Sequence, residues 1–221
     1  MTALLHNYAG IASVYDALGA AYSGGAIGRC KAAALAYIEP QHRVLFAGGG
    51  TGQEAVAAAR TGADVTLVDR AWPMIRRARR RCALSEVEHV VEVLHEDIRD
   101  HRRSHHYDVV VANFFLNVFC EADVVSMLQH LLQQMQPNGR LIIGDFAPPD
   151  SYSQRRASIA LQWAYHALPM GIFRVLTGSA LHRIYDFSPF VDAVGASLIE
   201  TRDFQAFRYG PAWYRSMAVM R

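Results

Sequence analysis

Along the chain, apolar and polar positions alternate between two kinds of segment. Five short runs are nearly continuous in apolar, β-favouring residues: RVLFAG (43–48), DVTLVD (64–69), HVVEVLHE (89–96), YDVVVAN (107–113) and GRLIIGDF (139–146). Between them QEAVAAART, PMIRRARRRCAL and EADVVSMLQHLLQQMQ carry helical spacing, the last stopped by Pro137-Asn138-Gly139. Strands that are apolar on both faces require cover on both sides, as in a parallel sheet flanked by helices. With right-handed crossovers, this alternation predicts an open, doubly wound α/β sheet.

After the fifth run the regularity stops. Residues 147–186 are helix-rich and aromatic, with Trp163, Tyr165, His166, Phe173, His182 and Tyr185. Ser188-Pro189 then supplies an N-cap and a proline at the first helical position, opening a helix that ends near Gly195. Two closing strands, SLIETRDF and WYRSMAVM, flank a Tyr209-Gly210-Pro211 turn and pair antiparallel, bringing the sheet to seven strands. The expected organisation is one domain: an N-terminal helical cap (1–42), a core (43–146), a helical lid (147–186) and a closing helix and hairpin (187–221).

Composition narrows the partners. The 221 residues are 52% hydrophobic, enough to fill one sizeable core, and a net charge of +2 gives no field that singles out nucleic acid. Cys30, Cys82 and Cys120 are odd in number and lack a CxxC pair, which argues against a disulfide framework and for a reducing, cytoplasmic setting. The N-terminus lacks the pattern of a signal or transit peptide. The longest apolar segment, around ASIALQWAYHALPMGIFRVLTGSAL, is interrupted by His166, Pro169, Gly171 and Arg174, so no membrane span is expected. The aromatic stretch can close over a small-molecule ligand or meet a second copy of the chain in a homodimer.

The chemistry concentrates at strand ends. Gly48, Gly50 and Gly52 form a GxGxG turn between the first strand and its helix, where backbone can pass close to a ligand. A dinucleotide fingerprint would want glycine at Gln53, and a phosphate-binding loop would want a lysine after the last glycine. Asp69 ends the second strand, 19 residues past Gly50, where a carboxylate accepts from a ribose diol. Asp97 ends the third, where it can accept from an adenine amino group while Ile98 packs on the ring. Asn113 ends the fourth, and together these ends outline one crevice.

By VLFAGGGTG, TLVDRAWPMI, HEDI, YDVVVANFFLNVF and the strand GRLIIGDF after QPNG, the chain resembles the class I S-adenosylmethionine-dependent methyltransferases over residues 43–146. Outside that span, SVYDALGAAYSGG and the aromatic insert resemble small-molecule methyltransferases of ubiquinone and menaquinone biosynthesis. The resemblance implies a Rossmann-like fold and S-adenosylmethionine as cofactor. Its methionine end would lie on Gly48, Gly50 and Gly52, its ribose on Asp69 and its adenine on Asp97. Tyr15, Ala47, Arg70, Met74, Ile98 and Asn113 complete the expected cofactor set.

One position departs from the family. An acid commonly stands two residues before the first glycine and orders the cofactor's charged amino-acid end; here it is Phe46. Three alternatives follow: backbone carbonyls near Ala47 and Asn113 hold the amino group, the cofactor binds weakly, or the fold serves non-methylating chemistry such as a cyclase or decarboxylase.

Methyl transfer mainly needs positioning and desolvation, and Tyr8, Tyr15, Phe114 and Phe115 are candidates to face the sulfonium. If the acceptor must lose a proton, His166 and His182 are the expected bases, with Tyr165, Tyr185 and Asp186 behind them. The implied acceptor is aromatic, polyketide-like or quinone-like. His101, His105 and His106 read as a solvated loop rather than metal ligands, and the RRARRRC run as a solvent-facing helix side. Asp145 followed by Phe146 disfavours the metal-dependent catechol type, so no metal is expected. NFFL after strand four differs from the Pro-Pro-aromatic loop of many base methyltransferases. A non-catalytic nucleotide-binding module is the remaining alternative.

Overall fold

The structure, a computed structural model, describes residues 22–148, 184–206 and 211–221. Helix α1 (Ala26–Ala32) runs into a 3₁₀ turn (Ala33–Tyr37). Five strands follow with their helices: β1 (Arg43–Ala47), α2 (Gln53–Ala59), β2 (Asp64–Asp69), α3 (Trp72–Leu84), β3 (Val91–His95), β4 (Tyr107–Asn113), α4 (Glu121–Gln134) and β5 (Met135–Phe146). Helix α5 (Ser188–Ala193), β6 (Ser197–Phe204) and β7 (Tyr214–Met220) close the chain.

All seven strands form one sheet in the order β3-β2-β1-β4-β5-β7-β6. The first five are mutually parallel, whereas β7 pairs antiparallel with both β5 and β6. The expected seven-stranded, doubly wound sheet with an antiparallel C-terminal pair is therefore what forms. The order reverses between β1 and β4, the place where open α/β sheets present a crevice at their carboxyl ends.

Two core clusters show why the strands are apolar throughout. On β1, Val44 and Phe46 face Val56 of α2 and Ile75, Ala78 and Cys82 of α3. Leu45 and Ala47 face the other side, with Val124, Leu128 and Leu131 of α4 and Val191 of α5. Because side chains alternate faces, the central strands β1, β2, β4 and β5 feed both layers, and a polar residue in the middle of one would be desolvated on either side.

Several boundaries differ from the sequence reading. β5 starts at Met135, directly after α4, and its pairing with β4 shifts between Tyr107–Met135 and Val109–Arg140. Pro137 lies in this irregular stretch, where a missing N–H is tolerated. Ser188 does not cap α5: it is the first helical residue, and its N–H donates instead to Asp186 Oδ1 at 3.1 Å. The cap is therefore supplied by a carboxylate two residues upstream. The turn at 209–210 and most of the stretch 147–186 lie outside the described residues.

Gly144 of β5 is required by packing. A Cβ there would stand 2.3 Å from Asn113 Oδ1 on the neighbouring strand. Gly144→Ala should lower stability by about 1–3 kcal/mol, the usual range for overpacking, as measured by urea denaturation.

Candidate active site

The glycine turn and the end of β2 are one hydrogen-bonded unit. The amides of Gly48 and Gly49 donate to the Val68 carbonyl at 2.9 and 3.2 Å, drawing the chain back over β2. Gly48, Gly50 and Gly52 have φ of +64°, +56° and +75°, values that side chains with a Cβ rarely adopt. The ring of Phe115 covers Gly48 so closely that a Cβ would lie 2.4 Å from it. Arg81 of α3 donates from Nε to the Thr51 carbonyl at 3.0 Å, bracing the turn from outside. Part of the RRARRRC run thus points inward. Sequence reading missed this because the partner lies 30 residues earlier.

Asp69 completes the unit. Its Oδ2 accepts from the Gly50 amide at 2.9 Å and its Oδ1 from the Ala71 amide at 2.7 Å. A carboxylate offers about four lone-pair sites, so each oxygen keeps capacity for one further donor. That matches the two hydroxyls of a ribose diol. Burial raises the Asp69 pKa, and the two amides oppose the rise.

On the next strand end, Asp97 is held by its own loop. Arg99 donates to it from the backbone at 3.0 Å, from Nε at 3.0 Å and from Nη2 at 2.6 Å. The Arg99 hydrogen bonds hold the Asp97 carboxyl down at about 2, fully ionised at neutral pH. Ile98 is buried in the core beneath the loop. Arg70 is exposed beside Asp69, and its carbonyl faces His95 Nε2 at 3.1 Å; Met74, half-buried, lies one turn into α3. Asn113 turns its amide to the Lys31 carbonyl of α1 at 3.2 Å, leaving a buried Oδ1 with no donor among the described residues. Ala47 is buried at the end of β1. Tyr8, Tyr15, Tyr165, His166 and His182 lie outside the described residues.

Phe46 is 3% exposed and takes part in the core under α2 and α3. No carboxylate could sit there without losing its solvation, so the apolar residue is integral to the packing. Phe114 stacks edge-on with Phe146 and Tyr214, with ring centroids 5.3 and 6.0 Å apart. Tyr185 donates its hydroxyl to the Phe119 carbonyl at 2.9 Å.

The histidine segment corrects the expectation of a solvated loop. His101 is 4% exposed, with Nδ1 2.6 Å from Glu96 Oε1 and Nε2 2.7 Å from Tyr107 Oη. His105 remains exposed, and the backbone there is a turn rather than a helix, so the i, i+4 spacing carries no meaning. Among the described residues no group of three or more metal-ligating side chains comes together.

Asp145, at the end of β5, is a polar group that the sequence did not single out for this role. It is 2% exposed. Its Oδ1 accepts from Asn117 Nδ2 and from the Phe146 amide, each at 2.7 Å, while the buried Oδ2 has no donor among the described residues. Complete burial pushes its pKa up to about 7, against the pull of those donors.

With this geometry in place, the family can be stated. Residues 44–139 match a family model described as "Methyltransferase domain". The chain is similar to the carboxy-S-adenosyl-L-methionine synthase of Glaesserella parasuis serovar 5, at 31% identity over 86 residues, 39% of this chain and 35% of that protein. It therefore spans about a third of the curated relatives it matches. Among solved structures, the 1,6-didemethyltoxoflavin-N1-methyltransferase of Burkholderia thailandensis, with S-adenosylhomocysteine bound, superposes with a TM-score of 0.69 at 16% identity, covering 97% of this chain and 86% of that one. The [4+2]-cyclase SpnF superposes at 0.66, also at 16% identity, covering 86% and 79%. At these identities the likeness is one of fold.

The Asp145 carboxyl makes stability depend on pH with a definite sign. Its folded pKa of about 7 lies above the ordinary carboxyl value of 3.8, so between these values the folded state holds a proton that the unfolded state has released. This contribution falls as pH rises from about 4 to 7 and is level above. Asp145→Asn should therefore gain stability relative to the parent chain across that window, by up to about 1.4 kcal/mol per pH unit. Urea denaturation of both proteins at pH 4.5, 6 and 8 checks this.

Proposed function

We propose that the protein transfers the methyl group of S-adenosylmethionine to a small-molecule acceptor. The observation that carries this is Asp69: a half-buried carboxylate, anchored by one amide on each oxygen, faces the rim beside a glycine turn that it itself orders. A group so fixed is already oriented for a diol, and its ordering cost is met on folding rather than on binding. Asp97, fully ionised on the adjacent strand end, supports recognition of the adenine edge.

In this reading the acceptor is aromatic, polyketide-like or quinone-like, the segment 147–186 covers it, and His166 or His182 takes its proton where one must leave. The carbon–sulfur bond of the sulfonium breaks as the bond to the acceptor forms, so the protein's part is to align the two and exclude water. Without a carboxylate at Phe46, the cofactor's amino group is left to carbonyls near Ala47 and Asn113.

A second reading has one specific observation in its favour. Phe46 fills a core position rather than a polar site, and a [4+2]-cyclase shares the fold. A chain that binds S-adenosylhomocysteine but methylates nothing across varied acceptors would favour it.

Calorimetric titration with S-adenosylhomocysteine tests the first reading: binding is expected, and its absence removes the support. Asp69→Ala should weaken that binding by about 100-fold or more, since it deletes charge-assisted hydrogen bonds and frees the turn. His166→Ala should reduce turnover of an accepted substrate while leaving cofactor affinity unchanged; unaltered turnover would reject His166 as the base.

A further inference from the structure

The loop after β3 carries Asp97 and is held both by bonds within itself and by two side chains that tie it to the rest of the domain. Two inner turns shape it: the Asp100 amide donates to the Asp97 carbonyl at 2.9 Å and the His101 amide to the Ile98 carbonyl at 3.2 Å. Two histidines then fasten it to the body of the domain. His130 of α4 donates from Nε2 to the Ile98 carbonyl at 2.7 Å. His101, buried within the loop's own base, joins Glu96 at 2.6 Å to Tyr107 of β4 at 2.7 Å.

The His101 contacts use both ring nitrogens. With the proton on Nδ1, the ring donates to the Glu96 carboxylate and accepts the Tyr107 hydroxyl at Nε2, which satisfies every polar atom of a side chain that is 4% exposed. Glu96 immediately precedes Asp97. Tyr107 is itself 1% exposed in the core under α4. The imidazole thus bridges the start of β4, fixed by the buried Tyr107, and the residue next to the Asp97 carboxylate.

We infer that His101 is a positioning residue for the adenine end of the cofactor site: the Glu96–His101–Tyr107 chain presets the Asp97 loop before any ligand arrives. The inference rests on the reading of the site given above. Without this bridge, residues 96–101 lose their tie to β4, and a ligand must then order backbone that the folded protein now orders in advance. The effect belongs to the adenosine half, because the bridge touches nothing in the glycine turn, which Asp69 and Arg81 hold separately.

The test uses two probes, S-adenosylhomocysteine and 5′-methylthioadenosine, which lacks the amino-acid tail. In calorimetry, His101→Phe should raise the Kd of both by the same factor, about tenfold. His101→Gln should restore most of the affinity, because its amide can donate to Glu96 and accept from Tyr107. Tyr107→Phe should move both constants in the same direction by less. Val219→Ala, a core change on β7 well away from the loop, should lower the melting temperature without moving either Kd. Unchanged constants in His101→Phe, or an equal rise in Val219→Ala, would overturn the role of His101. Failure of both probes to bind the parent chain would instead overturn the reading of the site, and this inference with it. Should His101→Phe not fold, the Tyr107→Phe and His101→Gln comparison decides alone.

Discussion

The site depends on the pair of hydrogen bonds that Asp69 accepts from Gly50 and Ala71. A turn with three left-handed glycines has little of its own to hold it, since each glycine gives up more conformational freedom on ordering than other residues do. The Asp69 carboxylate supplies the missing constraint, and the Val68 carbonyl beside it receives the amides of Gly48 and Gly49. One strand end therefore shapes the turn and, in the proposed reading, offers the remaining lone pairs of the same two oxygens to a ribose.

Around this point, the domain treats the two ends of the crevice differently. The end toward β2 and β3, where the proposed reading puts adenosine, is lined with ionised or hydrogen-bonded groups whose partners fix them in advance: Asp69, Asp97 with Arg99, and the His101 and His130 supports. The other end, toward β4 and β5, is aromatic and apolar, with Phe115 lying on Gly48 and Phe114 packed edge-on against Phe146 and Tyr214. The polar groups there are Asn113, half-buried, and Asp145, buried, and each keeps a buried acceptor oxygen without a donor among the described residues. A low-dielectric environment raises the cost of such oxygens and shifts the Asp145 carboxyl toward its neutral form.

The Asp145 group also illustrates how burial converts one residue into a pH response. Its partners Asn117 and Phe146 draw the pKa down, yet the loss of water outweighs them. The turn after β4 (Leu116–Val118) is tied to β5 through the Asn117–Asp145 hydrogen bond, which holds the ends of these two neighbouring strands together.

How far the sequence reached follows from the range of the forces involved. Strand and helix positions, the parallel core, the antiparallel closing pair and the placing of the glycine turn, Asp69 and Asp97 at neighbouring strand ends were legible, because apolar periodicity and strand-end patterns are local and repeat from one βα unit to the next. The burial of His101, the inward turn of Arg81, the cap from Asp186 and the isolation of Asp145 were not. Each depends on a partner that only the fold supplies: Tyr107 and Glu96 around one imidazole, Thr51 for a guanidinium 30 residues away, and the packed ends of β4 and β5 for the carboxyl. The pattern of the chain by itself determined which layers form and which residues reach the rim. The tertiary structure decided which of those polar groups are solvated, paired or stranded, because solvation and pairing depend on the whole surroundings of a side chain and not on its neighbours in sequence.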